Sequence, residues 1–146
     1  MNWAPTKLLG CYEILDAQRR RTDSAWYNVM ALIRLTDVPV RKADGTIRPR
    51  VWHLRPLSDA GHGHWKADPL GELEQTTGIV PEWSLNPAGD SAEFSFGDGF
   101  SGAGIQFAAV DADPDTLRGR VVEHWDFGPP FSQDKGRAYG VRRPCP

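Results

Sequence analysis

The sequence predicts one all-β domain spanning residues 1–146, an antiparallel up-and-down β-barrel of about eight to nine strands with at most one short helix. Three observations lead there. Short segments alternate polar and apolar residues, the period of a half-buried strand. Turn signals separate them at regular spacing, and 15 Gly and 12 Pro favour many short elements over a few long helices. Finally, 146 residues are enough for one domain with its own core but not for several.

Leu8 to Leu15 reads as the first strand. Ser24 to Leu35 fits either a strand or an amphipathic helix, and its aromatic and β-branched residues favour a strand. Arg50 to Leu57 and Gly63 to Ala67 follow as strands. Asp68-Pro69-Leu70-Gly71-Glu72-Leu73-Glu74-Gln75 starts like a helix, with an Asp cap, Pro at the first position and acids in the first turn, and Gly78 would end it. Val80 to Leu85 is a further short strand. The second half is clearer. Ser91 to Phe96 alternates strictly, Gly97-Asp98-Gly99 breaks it, and Gly104 to Val110 resumes. Asp111 to Asp115 is a turn. Thr116 to Trp125 is a long strand ended by Gly128-Pro129-Pro130, and Arg137 to Arg142 is the last.

Composition excludes several classes. The chain is 40% hydrophobic and 25% charged, with six Trp, six Phe and three Tyr, which is not a disordered composition. No stretch approaches the roughly 20 apolar residues of a membrane helix. Leu8-Leu9-Gly10-Cys11 has the letters of a lipobox, but no apolar run precedes it. The net charge of −2 divides unevenly, basic over residues 1–66 and acidic over residues 67–146. A single barrel with basic strands beside acidic ones accounts for this, because neither half supplies enough strands to close alone. Arg19-Arg20-Arg21, Arg41-Lys42 and Arg48-x-Arg50 fall mainly in predicted turns of an acidic chain, which argues against nucleic acid as a partner.

The first and last strands of an up-and-down barrel pair antiparallel, so the start of one lies beside the end of the other. Cys11 and Cys145 therefore fall at one end of the barrel within bridging reach. A bridge would imply an oxidising compartment and an exported protein. Gly10-Cys11-Tyr12 resembles the Gly-x-Trp motif of the lipocalins, with Tyr in place of Trp. The resemblance implies that Tyr12 sits on the barrel floor beneath an Arg, either Arg142 or Arg143, with Gly10 bending the strand there. The family's Thr-Asp-x-Tyr loop and long C-terminal helix are absent. Gly10-Cys11-Tyr12, Gly99-Phe100-Ser101-Gly102 and Arg143-Pro144-Cys145 together also resemble small bacterial proteins of no assigned activity, a likeness that bears on fold alone.

Candidate chemistry is sparse. His62-Gly63-His64 would put two imidazoles on one face of an extended segment, but a metal needs at least a third ligand, from His53, His124 or Asp126, and no metal is expected. Glu123 shares a face with Leu117, Gly119, Val121 and Trp125. If that face is interior, Glu123 is a general acid or base, with His124 as a weaker candidate; the alternatives are an ion pair with a neighbouring Arg such as Arg137, or a rim position. Trp26, Trp52, Phe94, Phe107, Trp125 and Tyr139 are candidate walls of a ligand cavity, or they fill the barrel solid. No nucleotide-binding loop, nucleophile elbow or zinc-finger spacing is present. The leading expectation is a monomer that holds a small, mainly apolar ligand without a cofactor. The alternatives are a barrel enzyme of isomerase, cyclase or hydrolase type and a ligand-free protein-interaction domain.

Overall fold

The computed structural model describes residues 6–21, 29–58, 81–97, 101–125 and 131–146. After a single turn of 3-10 helix at Thr6–Leu8, eight strands follow: β1 Gly10–Leu15, β2 Leu32–Arg41, β3 Ile47–Pro56, β4 Glu82–Leu85, β5 Ala92–Gly97, β6 Ser101–Ala108, β7 Thr116–Trp125 and β8 Phe131–Arg143. Each pairs with the next, and β1 pairs antiparallel with β8, so the sheet closes into a barrel. Closure leaves no free sheet edge, which is how an all-β chain avoids pairing with another copy.

The second half follows its pattern closely. Thr116 to Trp125 forms β7 with the expected bounds. In β5, Ala92, Phe94 and Phe96 are buried and Glu93 is exposed, so the alternation chose the face. β8 begins earlier than expected, at Phe131, because Phe131 to Gly136 carries no alternation yet pairs with the upper half of β7. A bulge explains the mixed pattern: Val121 faces Gly136 and Val122 faces Asp134, leaving Lys135 as the extra residue.

The first half departs more. β1 starts at Gly10, since Thr6 to Leu8 turn instead. β2 starts at Leu32 and runs on to Arg41 across Pro39. Proline lacks a ladder donor, and its register shifts against β3 on both sides accommodate it. β3 begins at Ile47. The strand expected at Gly63 to Ala67 and the helix expected at Asp68 to Gln75 lie outside the described residues.

The interior is a column of aromatic rings. Trp52 and Trp83 pack with centroids 4.7 Å apart, Phe94 and Phe107 also at 4.7 Å, and Tyr12 meets Phe94 edge-on at 6.5 Å. Ile33, Leu35, Leu54, Phe96, Ile105, Leu117 and Val121 pack around them, all at 1% exposure or less. Burying each large side chain contributes about 1.5–3 kcal/mol, so this column dominates stability. Trp83 keeps its indole donor satisfied by the Thr36 carbonyl at 2.9 Å. Gly119 is required where β7 comes close to β6: a Cβ there would strike the Gln106 carbonyl.

Candidate functional site

The two ends of the barrel differ. At one end lie three short hairpins and the two chain termini. Asn86 accepts hydrogen bonds from the backbone of Asp90 and Ser91 in the β4–β5 hairpin, and Asp44 accepts two from Thr46 in the β2–β3 hairpin. The Cys11–Cys145 disulfide joins β1 to the residues after β8, with Cα atoms 5.2 Å apart. Inside that ring, Arg142 stacks over Tyr12, its guanidinium 4.9 Å from the ring centroid. The guanidinium also donates to the carbonyls of Lys7 and Leu9 and to the Asp115 carboxylate at 2.6 Å. The Tyr12 hydroxyl donates towards the carbonyls of Leu8 (2.9 Å) and Pro114 (3.1 Å). Burial pushes the Tyr12 phenol up to about 12. Gly10 has φ +134°, and a Cβ there would come within 2.8 Å of the Arg142 guanidinium. Leu8 and Val110 complete the plug.

Of the two arginines considered for the floor, Arg142 takes the place. Arg143 lies one residue on, and so on the outer face, where it binds Glu13 at 2.9 Å together with Arg21. Period-2 alternation decides between them.

Towards the other end, Phe96, Ala103 and Glu123 form one inward row across β5, β6 and β7, paired in register. Glu123 is thus a carboxylate on the interior side of the wall, and its side chain is 15% exposed. The Lys135 ammonium, from the β8 bulge, lies 3.9 Å from it. Arg137, the partner that sequence reasoning named for Glu123, faces Arg120 on the outer surface instead. The bulge shifts the alternation of β8, so counting residues from the strand's end misplaces its charges. Lys135 was missed for that reason, and the adjacent Gly136, at φ +103°, is the one sequence signal of it.

The aromatic candidates separate. Trp52, Phe94 and Phe107 are inside and fully buried in the column. Tyr139 is on the outer face, with the Arg19 guanidinium 4.2 Å above its ring. The backbone of Trp125 pairs with Ser101 and Phe131 at the end of β7, whereas Trp26, His62 and His64 lie outside the described residues. His124 is exposed on the outer face of β7. His53 faces Glu82 across the β3–β4 pair and is 2% exposed. Its pKa is lowered, first by burial and then by the nearby Arg55 charge, and its Nε2 has no hydrogen-bond partner among the described residues. The Trp52 indole NH is likewise buried without a partner among the described residues.

Among the described residues, no three His, Cys, Asp or Glu side chains gather to hold a metal, and no helix is long and apolar enough to cross a membrane. The inward carboxylate and its ammonium stand beside the fully buried Phe96 and Ala103. Comparison with protein-family models, curated proteins and solved structures found no match for this chain.

Proposed function

We propose that this chain is a lipocalin-like binding protein that takes a small, mainly apolar ligand at the barrel end opposite the disulfide. The observation that carries the reading is Glu123, an ionisable side chain set among the inward apolar groups Phe96 and Ala103 and charge-paired with Lys135. An apolar wall with one or two placed polar groups is the usual make-up of a small-molecule site. The column from Tyr12 to Phe96 fills the barrel below, so the ligand rests on the aromatic floor and does not reach the sealed end. The disulfide suits a protein that folds in an oxidising compartment.

Titrating intrinsic tryptophan fluorescence with lipids, retinoids and haem tests this. Saturable one-to-one binding is expected, and Glu123→Phe, which fills the rim, should abolish it while far-UV circular dichroism stays unchanged. Binding that survives Glu123→Phe would place the ligand elsewhere. A second reading has the same carboxylate acting as general acid or base on the bound molecule. Glu123→Gln distinguishes the two: a binding site keeps its apolar ligand, and an enzyme converts nothing.

A further inference from the structure

The outer face of β7 and β8 carries a cluster of arginines. Arg118 and Arg120 alternate with the inward Leu117, Gly119 and Val121, so both point away from the core. Across the pair, Arg118 faces Tyr139 and Arg120 faces Arg137. These four side chains, with Gly119 between them, line a hollow of about 190 Å³. Arg19 adds a further guanidinium at its edge, stacked on Tyr139.

Two like charges directly opposite on neighbouring strands repel, an arrangement that costs stability. Among the described residues one carboxylate is bound to the group: Asp134 takes Arg120 through Nε at 2.7 Å and Nη2 at 3.1 Å. The neighbouring Glu93, on β5, is turned to Gln106, not to an arginine. Arg118 and Arg137 have no anionic partner among the described residues. The other arginines of the Arg19–Arg21 run are engaged, Arg20 with Asp16 and Arg21 with Glu13. The cluster is therefore a local excess of positive charge around a concave surface. Guanidiniums in this number and planarity suit an oxoanion that accepts several hydrogen bonds at once.

We infer that the hollow formed by Arg118, Arg120, Arg137 and Tyr139 binds the dianionic phosphate of a small phosphomonoester. A doubly charged group offsets the opposed pair, and a planar substituent finds aromatic and guanidinium surfaces beside it. The site is on the outside of the barrel and is independent of the rim around Glu123.

Amide NMR titration of the whole chain with phenyl phosphate and with phenyl sulfate tests this. Phenyl phosphate becomes a dianion above about pH 6, whereas the arginines stay charged throughout. Saturable shifts are expected at Arg118, Gly119, Arg120, Arg137 and Tyr139, tightening several-fold between about pH 5 and pH 7.5. Phenyl sulfate, a monoanion over that range, should bind roughly tenfold more weakly at the upper pH. Arg137→Glu puts a carboxylate opposite Arg120, so the fold is kept or gains stability while phosphate binding is lost. Arg118→Ala should weaken binding about tenfold, and Lys42→Ala, the same charge change on the distant β2–β3 hairpin, should leave it within about twofold. Equal affinity for the two esters, binding retained by Arg137→Glu, or shifts spread evenly over the arginines would overturn the assignment.

Discussion

The sealed end and the opposite end of this barrel are built on different principles. At the sealed end one arginine does several jobs: Arg142 stacks on Tyr12, ties down the carbonyls of Lys7 and Leu9 and holds Asp115, all inside a covalent ring closed by Cys11 and Cys145. Towards the other end Glu123 stands in an interior row with Phe96 and Ala103, and the Lys135 ammonium is 3.9 Å away, a distance for charge attraction and not for a tight hydrogen bond. One end satisfies its polar atoms internally. The other holds the Glu123–Lys135 pair beside buried apolar groups, where the proposed ligand would meet it.

Substitutions should separate the two in size. Phe94→Ala, in the column between them, is expected to be the most damaging, at about 3–5 kcal/mol in urea unfolding, because the close-packed rings around it cannot refill the space. Loss of the disulfide through Cys11→Ser with Cys145→Ser comes next, at about 3–4 kcal/mol, since the bridge closes nearly the whole chain. A loss below about 1 kcal/mol would show that strand pairing alone closes the barrel.

Alkali and acid should then attack different parts. The Tyr12 phenol is held up at about 12, above its ordinary 10, so the folded state favours the protonated form. Its contribution is complete below pH 10 and is lost as pH rises towards 12, amounting to about 2–3 kcal/mol, and Tyr12→Phe should remove that dependence. His53, on the outer face of β3 between Arg55 and Glu82, has the opposite sign. Its folded pKa is depressed, so stability is full above the ordinary 6.5 and falls as pH drops below it. His53→Gln should flatten the acid limb of a pH–stability curve. If the acid limb is unchanged in His53→Gln, protonation there does not loosen the barrel.

The smallest effect on stability is expected at the rim. Glu123→Gln, which breaks a partly exposed pair, should cost under about 1 kcal/mol. A larger loss would mean that Glu123 holds the fold together, and the contrast between a structural end and a functional end would fail.

Much of the architecture is legible in the residues. The strict alternation of Ser91 to Phe96 and the run from Thr116 to Trp125 identify strands and their inward faces, because one face must be buried. Up-and-down order alone brings Cys11 next to Cys145. The first half is less legible because β2 crosses a proline at a pair of register shifts, and because Pro39 argues against a strand when read locally. The bulge at Lys135 hides in the same way, since an inserted residue changes which side chains share a face without changing composition.

The site divides along the same line. Periodicity alone places Glu123 on the face of Leu117 and Val121, and the resemblance of Gly10-Cys11-Tyr12 to the lipocalin motif is what makes Tyr12 a floor residue. Which arginine covers Tyr12, which cation meets Glu123 and whether Trp52, Phe94 and Phe107 line a cavity or fill a core depend on register and on ring-to-ring packing across strands distant in sequence. The same is true of the arginines gathered on β7 and β8. A sequence specifies alternation and turns because these are local, with a period of two residues. Register, bulges and the filling of a closed interior are set by all eight strands together, so only the tertiary structure decides them.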